Sequence, residues 1–155
     1  MSVEIPNLEL YVHPGYGRAL RVQRPIPSGS LILAIDSDVS RRSTPTVSSL
    51  QVGVDEHVDG PPVWYLNHSC EPNVFVDTGA GTVVAIRDIR PGEDIQYFYP
   101  ATEWDLAVPF ACSCGTPSCL GLISGARDMD ETVLSRYRLN VHIERLRELS
   151  ASNSA

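Results

Sequence analysis

The sequence predicts a mostly β domain that ends in a helix. Three observations lead there. Short alternating or apolar runs are separated by Gly and Pro turns, the tail carries apolar residues at helical spacing, and a tight cysteine loop lies between the two. At 155 residues the chain suits one domain, is too short for two ordinary ones, and can bury a working core.

From the N-terminal side, Leu8, Leu10 and Val12 alternate, as do Leu20 and Val22, and Leu31 to Ile35 is an apolar run. These read as strands, with Pro14-Gly15-Tyr16-Gly17 as a turn whose glycines permit close backbone approach. From Asp36 to Pro62 the pattern weakens. Arg41 and Arg42 read as solvated, and Val52, Val54 and Val58 with His57 as a short strand or turn. His57 reads as a surface or internally satisfied histidine rather than a ligand. Val74 to Val76 and Thr82 to Ile86 read as strands around Thr78-Gly79-Ala80-Gly81. Ile95 to Tyr99 reads as a strand entered through Pro91-Gly92, a pair suited to the centre of a type II turn. Ile26, Gly29 and Ile32 repeat the spacing of Ile89, Gly92 and Ile95, which predicts two similar turns, each leading into a strand. The tail from Asp128 to Leu149 reads as a C-terminal helix packing on the domain, with Asp128 or Asp130 as N-cap and Arg145 and Arg147 in the last turns; a division into two helices at Asn140 is the alternative.

The formal net charge of -7 disfavours nucleic acid as a direct partner, because phosphate binding needs a basic face. All 12 basic residues are arginine, so a lysine-modifying enzyme of this sequence has no lysine side chain of its own to modify. The N-terminus has no basic region followed by an apolar run, and no stretch approaches the ~20 apolar residues of a membrane span. The expectation is an intracellular, cytoplasmic protein, or a nuclear one in a eukaryote, without a membrane partner.

Three of the four cysteines, Cys112, Cys114 and Cys119, form Cys-x-Cys-x4-Cys around Gly115 and Pro117; the fourth, Cys70, is distant in sequence. One loop supplying three thiolates, with a fourth arriving by tertiary approach, suits tetrahedral zinc. Two disulfides are the alternative. They need an oxidising compartment, and a Cys-x-Cys pair is poorly placed to bridge itself.

Asn67-His68-Ser69-Cys70-Glu71-Pro72-Asn73 resembles the SET-domain signature Asn-His-Ser-Cys-x-Pro-Asn. Gly15-Tyr16-Gly17 resembles the N-terminal Gly-x-Gly of that family, and Gly92 to Tyr99 its Gly-Glu-Glu-Leu-x-Phe-Asp-Tyr strand. Cys112 to Gly121 resembles the post-SET zinc loop. Phe98-Tyr-Pro-Ala-Thr-Glu-Trp104, running into Pro109-Phe110, is similar to small single-domain SET proteins of bacteria and fungi. The resemblance implies small β-sheets around a knot-like crossing of the Asn-His segment with the later tyrosine. It implies a SET domain at 8–110 and a post-SET zinc loop at 111–124, which leaves the helical tail as a C-terminal extension at 125–155. It also implies a structural zinc held by Cys70, Cys112, Cys114 and Cys119.

The activity implied is methyl transfer from S-adenosylmethionine to a lysine amine of a protein or peptide. By the same resemblance, Gly15, Tyr16, Gly17, Asn67 and His68 contact the donor. Tyr99 orients the amine, and Tyr97 influences how many methyl groups are added. Trp104 and Phe110 either wall the acceptor channel or pack in the core. The sequence departs from the family at Trp64-Tyr65-Leu66, where Arg-Phe-Ile is common, and at Phe98, where Asp is usual. Two other uses of the scaffold stay open: binding donor or partner without transfer, and action on a small molecule.

Overall fold

The computed structural model describes residues 5–35 and 39–153. Residues 1–4 of the N-terminus, 36–38 at the start of the weakly patterned segment, and 154–155 of the C-terminal extension lie outside the described residues. Within them the expected mostly β architecture is present, as five small sheets rather than one large one.

The first run forms β1 (Leu8–His13), paired antiparallel with β2 (Gly17–Val22), Leu10 opposite Leu20. Leu8 is buried, but Leu10 and Val12 face outward, so the core contacts of this hairpin come chiefly from Ala19, Leu20 and Val22 of β2. The turn between them ends at Gly17, whose φ of 83° falls where side chains are disfavoured.

β3 (Leu31–Ala34) follows, then β4 (Ser40–Arg42), β5 (Leu50–Gln51) and β6 (His57–Asp59). The last three form a sheet in the order β4-β6-β5. Its strands have two or three residues, too few for a period to show in sequence. Arg41 and Arg42 are exposed and paired with Glu56 and Asp59 across this sheet. His57 is buried, with no hydrogen-bond partner for Nδ1, so it is neither a surface histidine nor a fully satisfied one.

β7 (Asn67–His68) precedes β8 (Val74–Asp77) and β9 (Thr82–Ala85). β3, β9 and β8 make an antiparallel sheet whose Val74, Val76 and Val83 join Leu20, Leu50 and Ile95 in the main core. The repeated Ile-x-x-Gly-x-x-Ile segments meet each other. Ile26 and Ile89 exchange backbone hydrogen bonds of 2.9 and 2.8 Å, and Gly29 and Gly92 adopt φ of 86° and 92°.

β10 (Gln96–Tyr97) runs parallel to β7, Gln96 beside Asn67 and Tyr97 beside His68. Its strand ends earlier than the sequence predicts. Tyr99–Ala101 turns into a 3₁₀ helix with Pro100 near its start, where a missing N–H costs nothing. β11 (Phe110–Ala111) and β12 (Leu122–Ile123) pair antiparallel and close the base of the cysteine loop.

The tail takes the divided form, as α1 (Glu131–Leu134) and α2 (Val141–Asn153). Asp130 caps α1, its side chain accepting from Thr132 N–H. Asn140 separates the helices for a specific reason: its amide nitrogen donates to the carbonyls of Val76 and Ala101, and its oxygen accepts from Thr78. Because α2 continues to Asn153, Arg145 and Arg147 lie within it rather than in its last turn. Arg147 pairs with Glu131 and Glu144 instead of the helix end. The extension covers a second core of Phe75, Phe98, Trp104, Ala126, Leu134 and Ile143. No helix among the described residues is long and apolar enough to cross a membrane.

Candidate active site and metal centre

The parallel pairing of β7 with β10 brings two distant sequence segments side by side. Ser69 N–H donates to Tyr97 O at 3.0 Å, and Asn73 N–H to Gln96 O at 3.1 Å. Asn73 also accepts from Gln96 N–H and donates to Asp94 O, so its side chain fixes this crossing. The result places Asn67 beside Gln96, and His68 against Tyr97 and Tyr99.

The four thiol sulfurs of Cys70, Cys112, Cys114 and Cys119 lie within 4.8 Å of one another, and none is in a disulfide. The Cys70–Cys112 separation is 3.8 Å. Zn–S bonds of about 2.3 Å in a tetrahedron put sulfurs about 3.8 Å apart, so the donor set fits zinc. Backbone N–H groups point at the sulfurs too: Leu120 N lies 3.4 Å from Cys70 Sγ, and Cys114 N the same distance from Cys112 Sγ. Donors of this kind favour thiolate, the form that binds metal.

Two cavities lie on this side of the fold, and the larger adjoins the cluster through Cys112 and Cys114. The larger, about 360 Å³, is bordered by Gly15, Tyr16, Asn67, His68, Gln96 and Cys112. The smaller, about 100 Å³, is bordered by Leu66, Tyr97, Glu103, Leu106 and Val108. They share Trp64, Tyr99 and Phe110 as walls. The larger has the size of a small-molecule site.

At the larger cavity, the turn carrying Gly15 to Gly17 is held in place by phenols. Tyr11 and Tyr16 both donate to the Asp94 carboxylate, and the Tyr16 ring stacks on His13 at 3.7 Å. Burial, then the Asp94 contact, pushes the Tyr16 hydroxyl well above its ordinary range, so it stays a donor. Asn67 Nδ2 donates to Arg18 O at 2.7 Å, which turns its amide toward the cavity and leaves Oδ1 as an acceptor. His68 is buried and pushed down to about 4 by that burial, hence neutral.

Where the cavities meet, the rings of His68, Tyr99 and Phe110 pack edge to face at 5.2 to 5.9 Å. Tyr99 OH donates to Leu66 O at 2.9 Å, so its oxygen keeps lone pairs free to accept. Tyr97 is buried 4.9 Å from the Tyr99 ring, its hydroxyl 3.5 Å from Thr102 Oγ1. Burial and then the nearby Glu103 charge push both tyrosines upward, so both stay protonated.

Trp104 does not wall these cavities. It packs in the second core, where Gly125 approaches so closely that a Cβ there would sit 2.1 Å from the Trp104 carbonyl oxygen. The tryptophan at the cavities is Trp64, half exposed, its indole N–H donating to Asp59 at 2.6 Å. Phe98, where the family usually carries Asp, stacks on Tyr137 at 3.5 Å and 6°. The extension thus supplies the apolar neighbour that Phe98 requires. Sequence reasoning missed Glu103, whose one signal is a carboxylate inside the otherwise uncharged run from Phe98 to Trp104.

A family model described as the SET domain matches residues 17–100. The chain belongs to the SET-domain family. This SET protein is 38% identical to the methyltransferase flvH of Aspergillus flavus, over 94% of its own length and 89% of that relative's. It is 27% identical to the histone-lysine N-methyltransferase ash1 of Drosophila melanogaster, over 77% of this chain but 6% of that protein. Among solved structures, KRYPTONITE in complex with mCHG DNA and SAH superposes with a TM-score of 0.62 at 24% identity, over 75% of this chain and 28% of that one. The family and these relatives make the SET protein a methyltransferase.

Proposed function

We propose that the chain transfers the methyl group of S-adenosylmethionine to a lysine amine of a protein or peptide. The observation that carries this reading is the pair of cavities meeting at Tyr99. One has room for a donor and the other for the end of an acceptor chain. Bound S-adenosylmethionine supplies an activated methyl with its leaving group attached, so the protein's part is position and electrostatics.

In this reading the backbone of Gly15 to Gly17, with Tyr16, lies against the donor. Asn67 offers an amide oxygen to its ammonium, and the neutral His68 lies against its adenine. Tyr99, its proton committed to Leu66 O, accepts from the incoming amine and orients the lone pair toward the methyl. Tyr97 limits the space for further methyl groups. Phe110 and Trp64 form the aromatic walls, which attract a methylammonium product. A structural zinc on Cys70, Cys112, Cys114 and Cys119 ties the loop carrying Cys112, a wall of the donor cavity, to the Asn67–His68 segment.

Labelled S-adenosylmethionine with a panel of lysine peptides and a cell lysate tests this directly. Label in lysine with wild type, and its loss with Tyr99→Phe, is the expected result. Donor binding with no transfer to any acceptor points to a binding scaffold.

A small amine is a second acceptor class. The relative matched across nearly the whole chain is named simply a methyltransferase, while the histone-lysine enzyme ash1 is matched over 77% of it. Transfer to a free alkylamine but not to peptides would identify this case.

A further inference from the structure

We infer that Glu103 is the residue that receives the acceptor amine, as a buried carboxylate bordering the smaller cavity beside Tyr97 and Tyr99. This rests on the methyltransferase reading above.

Glu103 is 3% exposed. Oε2 accepts from Thr102 Oγ1 at 2.6 Å and from Gln51 N–H at 3.0 Å. Oε1 has only a longer contact, 3.3 Å, with the same Gln51 N–H. A carboxylate can accept about four hydrogen bonds, so Oε1 retains capacity. No ion pair among the described residues involves Glu103, although buried carboxylates ordinarily have a cation beside them. The cavity lining supplies hydroxyls, Ser48, Ser49 and Tyr99 among them, and apolar and aromatic groups such as Leu66 and Trp64, but no counter-charge. A cation entering past Trp64 would complete the set.

The chemistry balances. An ammonium, R–NH₃⁺, gives one proton to the carboxylate and becomes a neutral amine. The nitrogen lone pair forms the N–C bond to the donor methyl as the C–S bond breaks, its electrons staying on sulfur. The products are a methylammonium and a thioether, and the carboxylic acid returns its proton to solvent. Burial pushes the Glu103 carboxyl up to about 7, which suits this exchange.

Glutamine at position 103 could still accept from Gln51 N–H, so Glu103→Gln removes charge while keeping that tether. The probe is n-butylammonium, compared with n-butanol of the same length, titrated by NMR into the full chain loaded with S-adenosylhomocysteine. Wild type is expected to prefer the ammonium by at least about tenfold. Glu103→Gln is expected to lose that preference while holding S-adenosylhomocysteine with unchanged affinity. A preference that survives in Glu103→Gln overturns the inference. So does a wild type that binds alcohol as well as ammonium, a result that needs no variant to fold. Failure of wild type to bind S-adenosylhomocysteine overturns the methyltransferase reading instead.

Discussion

The backbone N–H of Tyr99 donates to Nδ1 of His68 at 3.1 Å, while Nε2 of the same ring lies 3.4 Å from Cys70 Sγ. With Nδ1 accepting, the neutral ring carries its proton on Nε2, facing the sulfur. One imidazole therefore links the cysteine cluster to the tyrosine where the cavities meet. His68→Ala should leave the Tyr99 N–H unsatisfied and a void behind it, costing about 2–4 kcal/mol in urea unfolding. It should also weaken zinc retention by about tenfold or more, read by chelator competition. Unchanged zinc affinity would show that the histidine does not support the metal ligand.

Zinc removal should release the loop between β11 and β12. Its backbone has few anchors beyond Cys112 N–H to Gly121 O and the two-residue β-ribbon at its base. Zinc can contribute ~10 kcal/mol of folding free energy in small metal peptides. Elemental analysis should find one zinc per chain. Limited proteolysis after chelation should cut between Cys112 and Gly121, and added zinc should restore protection. A loop that stays protected in chelator would contradict this.

Glu103 should impose a pH dependence on stability. Its carboxyl is raised to about 7 when folded, above its ordinary value. The native state therefore holds the proton more tightly, and stability falls as pH rises from about 4.5 to about 7. The full effect is about 3 kcal/mol. Glu103→Gln should have a flatter profile between pH 4.5 and 8 in urea unfolding. His57 and His142, both lowered chiefly by burial, are common to both proteins and cancel in the comparison. Parallel profiles for the two proteins would rule out the raised carboxyl.

Tyr137 ties the extension to the SET domain through two contacts, its stack on Phe98 and its hydroxyl's 2.6 Å bond to Cys70 O. Tyr137→Phe should cost about 1 kcal/mol, and Tyr137→Ala about 3–5 kcal/mol. Urea unfolding reads both. Equal costs for the two would mean that the ring stack contributes nothing.

What was legible followed from local rules. Leu20 and Val22, the valines of β8 and β9, and the paired turns at Gly29 and Gly92 all obey short-range patterns. The cysteine cluster was legible because one loop supplies three of its members. The sheet of β4, β5 and β6 was not, because its strands are too short to show a period. Tyr99 looked like a strand residue, yet Pro100 starts a 3₁₀ turn there. Trp104 took the core, one of the two places left open to it, and Trp64 the cavity wall, since only tertiary packing decides which aromatic faces a cavity. Glu103 escaped notice because its environment is built from β5, the 3₁₀ turn and the segment near Trp64, which meet only in the folded chain.

The most direct measurement is transfer of labelled methyl from S-adenosylmethionine by zinc-loaded wild type and by Tyr99→Phe, each first shown by calorimetry to bind the donor. The account expects both to bind it with similar affinity, and the phenylalanine variant to transfer at least about a hundredfold more slowly. Equal rates from the two proteins, or no donor binding by wild type, would contradict it.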